Sequence, residues 1–300
     1  MRILLTGSKG QLGSAILASA PLIINGENVE IFATSRENLD LSDENSCKAI
    51  IKKYLPNWVI NAGAYTSVDK AESQPQLAIA VNGYAPAFFA ETLLQTGGQL
   101  LQLSTDSVFD GNQVEPYKPN QNRNPLNIYG ESKLMGELAI EKVLNPTNQG
   151  TILRTSWLMG SVGHSFIKTM LGIHKNQISC HVISDQFGCP TSSINLANTI
   201  WRIIAKKNKD SSLPPALHYC DKGVASWFDI ALATGEIAKE IGLLKNLAKI
   251  ESMSSFDYPT PAARPKYSTL DCQLTYEMLG IKSIDWEIAL KEILTLIPIY

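Results

Sequence analysis

Short apolar runs alternate with longer stretches of helical period along the first half of the chain. "RILLT" (Arg2–Thr6) is continuously apolar after its arginine and predicts a strand buried on both faces. "QLGSAILASA" (Gln11–Ala20) follows as a helix, "VEIFAT" (Val29–Thr34) as a second strand and "DENSCKAIIKKY" (Asp43–Tyr54) as a second helix. "NWVIN" (Asn57–Asn61) predicts a third strand. A long helix spans roughly Gln76–Gln95, with "APAFFAETLL" as its apolar face. "QLLQLST" (Gln99–Thr105) and "GTILRTS" (Gly150–Ser156) predict strands four and five, with a helix over Tyr129–Val143 between them.

This alternation predicts an α/β fold of Rossmann type, a doubly wound parallel sheet with helices on both faces. Ligands of such sheets bind beyond the carboxyl ends of the strands. Past Trp157 the rhythm loosens, punctuated by Pro190, Pro214, Pro215, Pro259, Pro261 and Pro265. Helices are expected near Ser193–Ala205, Ser226–Ile241 and Asp285–Leu296. The division expected is a dinucleotide-binding domain over residues 1–156 and a smaller, mixed substrate-binding domain mainly over 157–300. A segment of about 182–206 is expected to return to the first domain.

The dinucleotide expectation comes from "TGSKGQLG". Gly7, Gly10 and Gly13 stand three apart, directly after the first strand and opening the first helix. There a turn must be tight, backbone must approach a pyrophosphate, and the helix must pack close to the strand. The helix N-terminus then offers unpaired N–H groups to the anion. The second strand runs out into "ATSRENLDLSD", where an acid commonly selects NAD; this chain offers Thr34, Ser35 and Arg36 first. A cation with hydroxyls suits a 2′-phosphate, so NADPH is expected over NADH, against the plainer reading of Arg36 as an exposed loop residue. Asp43 suits a helix cap.

Charge narrows the partners. The net charge of -2, from 26 basic and 28 acidic residues, gives no basic excess for nucleic acid or a membrane surface. The five cysteines form no Cys-x-x-Cys pair, which points to reduced thiols and a cytoplasmic protein rather than a disulfide or zinc framework. The four histidines show no ligand spacing. "MRILLTG" does not read as a signal peptide, and no apolar run is expected to span a bilayer.

"NIYGESK" (Asn127–Lys133) places Tyr129 and Lys133 one helical turn apart. Such a pair is common on surface helices. Here it opens the helix after "LSTDSVFDG" (Leu103–Gly111), which leaves the fourth strand at the ligand end of the sheet and presents Ser104, Thr105 and Asp106. Reduction of a ketone needs a proton donor at the carbonyl oxygen. A tyrosine titrates near pH ~10 when free, and a nearby ammonium is expected to lower that value.

Taken together, "GSKGQLG", "NAGAYTSVDKAESQPQLAIAVN", "LSTDSVFDG", "YGESK", "LRTSWLMG", "DQFGCPT" and "RPKYSTLD" resemble the dTDP-4-dehydrorhamnose reductase family of extended short-chain dehydrogenase/reductases, over nearly the whole chain. The resemblance implies NAD(P)H-dependent reduction of a 4-keto nucleotide sugar, with Thr105, Tyr129 and Lys133 as catalytic residues. It implies cofactor contacts from Gly7, Gly10, Gln11, Leu12, Ser35, Arg36, Asp40, Leu41, Ala62, Gly63 and Ala64, besides Tyr129 and Lys133. Substrate contacts are implied for Thr66, Val68, Asp106, Trp157 and Arg264. Without the resemblance, Trp157 reads as core and Arg264 as a surface arginine or salt-bridge partner. Many family members carry an aromatic residue where this chain has Ser107. The glutamates that hold Mg²⁺ at a dimer interface in some members are missing, so no metal is expected and the chain is expected to be a monomer or weak homodimer. Two other readings stand beside the reductase: a different nucleotide-sugar reductase or epimerase, and a non-catalytic subunit like the regulatory subunit of methionine adenosyltransferase.

Overall fold

Alternate residues of the first strand, β1 (Arg2–Thr6), feed two separate cores. Ile3 and Leu5 pack with Leu12 and Ile16 of α1 (Gln11–Ala18), and on the same face with Leu196, Ile200 and Ile204. Leu4 points the other way, into a core shared with Cys47, Ile51, Phe89, Leu93, Ile140 and Leu144. A strand buried on both faces has no polar side, which is why its sequence shows no period of two. The computed structural model describes residues 1–209 and 213–297.

The other strands of the sheet are β2 (Glu30–Ala33), β3 (Trp58–Asn61), β4 (Gln99–Thr105), β5 (Gly150–Thr155) and β6 (Ala216–His218). Their order across the sheet is β6-β5-β4-β3-β1-β2, with every neighbouring pair parallel. This is the doubly wound architecture expected. The order reverses between β1 and β3, and a crevice opens there at the carboxyl ends.

The other α-helices are α2 (Glu44–Tyr54), α3 (Val68–Ser73), α4 (Pro75–Thr96), α5 (Ile128–Leu144), α6 (Phe166–Lys175), α7 (Ser193–Lys209), α8 (Trp227–Glu240), α9 (Gln273–Leu279) and α10 (Trp286–Thr295). Their starts obey local chemistry. Asp43 caps α2 by accepting from the Ser46 N–H, and Asn127 caps α5 by accepting from Gly130. Ser226 and Asp229 form a reciprocal capping box on α8.

Four features depart from the sequence pattern. Helix α4 is interrupted by a π-helical turn at Ala80–Tyr84, which buries Asn82 and Gly83 and which apolar periodicity does not register. That helix is long and apolar enough to cross a membrane, against expectation, but it is half buried and lies between α2 and α5. Strand β6 was not expected, since three residues carry no period. Ile23–Ile24 and Glu27–Asn28 pair as a small hairpin around Asn25-Gly26, both at positive φ as such a tight turn requires. Within 182–206, α7 packs on α1, whereas the strand Cys180–Ile183 that begins the segment pairs with Ile250–Met253 in a separate layer. Val182 of that pair is buried with Met170 and Ala231, and Cys180 and Ile250 pack against them.

One ion network ties α5 to the sheet. The Glu137 carboxylate is completely buried and takes Nε and Nη2 of the buried Arg154 at 2.8 and 2.7 Å. It also accepts from Arg123 at 2.8 Å and from the Ser104 hydroxyl. Arg154 further donates to the Pro119 carbonyl and lies over the Phe109 ring. Removing one partner of a buried pair strands the other charge, at a typical cost of about 3–5 kcal/mol. Arg154→Met should therefore lower the unfolding free energy by about that much in urea titrations. Hydrogen bonds from the guanidinium groups outweigh burial and hold Glu137 below its ordinary value of 4.5, so its contribution is present above that pH. It is lost as pH falls through the lowered value, and the mutational penalty should shrink in acid. A penalty independent of pH would assign the loss to packing.

Candidate active site

The carboxyl ends of β1 to β5 open into one cleft of about 1320 Å³. The loop after β1 forms one end. Gly7 adopts φ +66°, and a Cβ there would stand 2.7 Å from Gly63 N; a Cβ on Gly13 would stand 2.2 Å from the Gly7 oxygen. The close approach of loop, helix and β3 thus requires glycine at both places. Gly10 caps α1 with no side-chain hydrogen bond, so the helix presents bare N–H groups to the cleft. Gln11, Leu12 and Gly10 line the same end. Gln11 Nε2 donates to the His164 carbonyl at 3.2 Å and so ties α1 to the opposite wall.

Ser35, Arg36, Asp40 and Leu41 line the cleft beyond β2. Arg36 is exposed. The acid that follows it, Glu37, is paired with Lys9 at 2.6 Å, so a second cation reaches this corner from the glycine loop. Asp40 accepts from the Ser42 hydroxyl and N–H, which hold its carboxyl below the usual range. Leu41 packs over Gly63. These residues fit a phosphorylated adenosine ribose: cations for an anion, a leucine for a flat ring.

The loop Ala62–Val68 crosses the middle of the cleft, with Ala62, Gly63, Ala64, Thr66 and Val68 all on its wall. A residue not singled out from sequence holds it. Asn82, buried in the π turn of α4, accepts from the Tyr65 N–H and donates to the Tyr65 carbonyl, both at 2.9 Å. It also donates to Ser132 of α5 at 3.0 Å. The π turn is what aims this amide, and such turns recur at functional sites.

Thr105, Asp106, Tyr129 and Lys133 converge on the floor. Thr105 Oγ1 donates to Asp106 at 2.9 Å and accepts from the Ser107 N–H at 3.1 Å. To hold a carbonyl oxygen, that hydroxyl must turn away from Asp106. Burial raises Asp106 to about 6, opposed by hydrogen bonds from Ser268 and Thr105. Tyr129 is half-buried, yet protein crowds its hydroxyl. Desolvation, with Asp106 adding to it, pushes the phenol up to about 12, and the nearby Thr105 hydroxyl acts the other way. The expected lowering by Lys133 is not found. Lys133 Nζ is buried and donates to the Leu103 carbonyl at 2.6 Å. Tyr129 is therefore a neutral phenol with its proton in place. Burial brings Lys133 down to about 8, opposed by the Glu137 carboxylate one turn on.

The far wall holds Trp157 and Arg264. Trp157 has φ +44°, a strained value for a bulky side chain, and stacks on Trp227 with ring centroids 3.9 Å apart. It lines the cleft and also packs against a hydrophobic core, and its partner Trp227, which does both too, carried no sequence signal. Arg264 is not a free cation: its guanidinium grips both oxygens of Asp69 on α3, at 3.0 and 2.8 Å. The salt-bridge alternative for Arg264 is thus present in the structure, at a position that still faces the cleft.

The match to known proteins covers the whole arrangement. The family model described as the RmlD substrate binding domain matches residues 1–298. The chain belongs to this family. A dTDP-4-dehydrorhamnose reductase of Aggregatibacter actinomycetemcomitans is 36% identical over 97% of this chain and 98% of its own. A crystal structure of the Clostridium acetobutylicum dTDP-4-dehydrorhamnose reductase superposes with a TM-score of 0.87 at 34% identity, covering 99% of each chain. That of Bacillus anthracis, solved in complex with NADP, gives 0.87 at 30% identity and 98% coverage of each. The glycine loop, the Ala62–Val68 loop and Tyr129–Lys133 fall in one continuous cleft. Dinucleotide affinity should fall as pH rises through about 8, where Lys133 loses its charge. Titrating binding by fluorescence against pH checks this, and Lys133→Met should flatten the profile.

Proposed function

We propose that this chain reduces the 4-keto group of a nucleotide sugar with NADPH, converting dTDP-4-dehydro-L-rhamnose to dTDP-L-rhamnose for cell-surface polysaccharide precursors. One observation carries the reading: a protonated Tyr129 beside Thr105 and Lys133 stands on the floor of a cleft whose other end is a dinucleotide-type glycine loop. The names of the relatives support it at 30–36% identity over nearly full length.

The reduced nicotinamide, when bound, supplies the hydride. Gly7, Gly10, Gly63 and the N-terminus of α1 would hold its pyrophosphate, and Arg36 with Lys9 the 2′-phosphate. The protein's own part is proton handling. As the ketone oxygen gains an electron pair, the Tyr129 hydroxyl gives it a proton. Thr105 steadies that oxygen, and the Lys133 ammonium offsets the charge left on the phenolate. Trp157 and Trp227 form a flat wall for the sugar, and Arg264 faces the diphosphate once Asp69 yields part of its grip. The cysteines, all free thiols, agree with a reducing cytoplasm. We read the chain as a monomer or weak homodimer.

The test is direct: purified protein should consume NADPH when given dTDP-4-dehydro-L-rhamnose. Tyr129→Phe should bind NADPH normally and lose a factor of about 10² to 10⁴ in turnover, the usual worth of a general acid. Near-normal turnover would remove Tyr129 from that role. Arg36→Ala should raise the Kd for NADPH more than that for NADH; equal changes would show that Arg36 does not read the 2′-phosphate.

A further inference from the structure

A chain of buried hydrogen bonds joins the loop after β3 to Lys133. The Gly63 N–H donates to Thr6 Oγ1 at 2.9 Å, and Thr6 Oγ1 donates to Asn61 Oδ1 at 2.6 Å. Asn61 Nδ2 donates to Gln102 Oε1 at 2.7 Å, and Gln102 Nε2 donates to the Leu103 carbonyl at 2.8 Å. Lys133 Nζ meets that same oxygen from the other side, at 2.6 Å. Thr6, Asn61, Gln102 and Lys133 are all buried. The direction of each bond is forced. The Leu103 carbonyl only accepts, so Gln102 must turn Nε2 to it; its Oε1 then takes Asn61 Nδ2, and Asn61 Oδ1 takes the Thr6 hydroxyl proton, which leaves Thr6 Oγ1 to accept from Gly63.

The sheet explains why side chains take over here. β3 pairs with β4 as far as Asn61 opposite Gln102, whereas β4 pairs with β5 on to Thr105. Past Gln102, β4 has an open edge toward β3, and buried backbone groups need partners. Gln102 folds its amide forward onto the next carbonyl. The Leu103 oxygen then has both lone pairs engaged, one by the amide and one by the ammonium. Two N–H groups of Lys133 are left for the cleft. With an apolar residue at 102, both lone pairs would fall to the ammonium and its position would loosen.

We propose that Gln102 is a positioning residue: through the Leu103 carbonyl it sets the place of the Lys133 ammonium, and through Asn61 and Thr6 it couples that place to the Gly63 loop. Gln102 does not line the cleft. The proposal rests on the reading of Lys133 as a dinucleotide-binding group, given above.

The experiment measures NADPH affinity by fluorescence, without sugar, for wild type, Gln102→Met and Gln102→Glu across pH. Gln102→Met should bind roughly tenfold more weakly than wild type below about pH 8, where Lys133 is charged, the worth of about one hydrogen bond to a charge-linked site, with the gap closing at higher pH, while melting within a few degrees of it. Gln102→Glu carries its own control. As a carboxylic acid it accepts from Asn61 and donates to Leu103; once ionised it cannot donate. Its affinity relative to wild type should be near normal in acid and fall as the carboxyl ionises; a buried carboxylate also lowers the melting temperature as pH rises, so affinity is read well below melting at every pH. Wild-type affinity in Gln102→Met would overturn the proposal. So would a deficit in Gln102→Glu that does not vary with pH, the mark of a merely structural role. If Gln102→Met does not fold, the pH crossover of Gln102→Glu decides. A wild-type protein that binds NADPH but leaves the 4-keto sugar untouched defeats the proposed reaction, and the affinity ratios still judge Gln102.

Discussion

Glu137 lies one turn beyond Lys133 on α5, with no access to water. A carboxylate in that position must be neutralised, and the chain does so from three directions: Arg154 on β5, Ser104 on β4 and Arg123 in the loop before α5. The cost of leaving any of these charges unpaired locks the helix to the sheet. Tyr129 and Lys133 ride on that helix, while Thr105 ends the strand that supplies Ser104. The relative placement of the three groups on the cleft floor thus depends on an ion network whose charged members, Glu137, Arg154 and Arg123, lie outside the cleft lining. Arg123 extends it to the surface through a two-pronged bond to Glu141.

Electrostatics on the floor follow from the same burial. Desolvation keeps the Tyr129 proton on its oxygen and weakens the hold of Lys133 on its own. The two shifts suit a reduction, in which a neutral phenol must donate and a cation must be at hand when the phenolate appears. Glu137 limits how far Lys133 can fall, so a carboxylate placed for structure also preserves the charge of the site.

Much of this was legible in the chain. The β-α alternation gave the sheet because strands buried on both faces are unbroken apolar runs. The glycine spacing and Tyr129–Lys133 were legible because both are local: three residues of one turn, two residues of one helix. What could not be read is what the fold brings together from afar. Asn61 and Gln102 are 41 residues apart, and Asp69 and Arg264 are 195. Trp227 reaches Trp157 only because α8 lies against the cleft wall. Asn82 was inside a quoted motif, yet its role depends on a π turn that periodicity does not register. The expected effect of Lys133 on Tyr129 failed for the same reason, since the ammonium turns to a strand carbonyl that no helical spacing reveals.

The central claim is that the cleft passes hydride from a nicotinamide to carbon 4 of the sugar while Tyr129 supplies the proton. It is tested most directly by incubating the protein with dTDP-4-dehydro-L-rhamnose and NADPH carrying deuterium at nicotinamide carbon 4, using each labelled face in turn. The account predicts dTDP-L-rhamnose with one deuterium on sugar carbon 4 from one face only, and oxidised cofactor in equal amount. Product without deuterium, or interconversion of sugar epimers with no net cofactor oxidation, would contradict it.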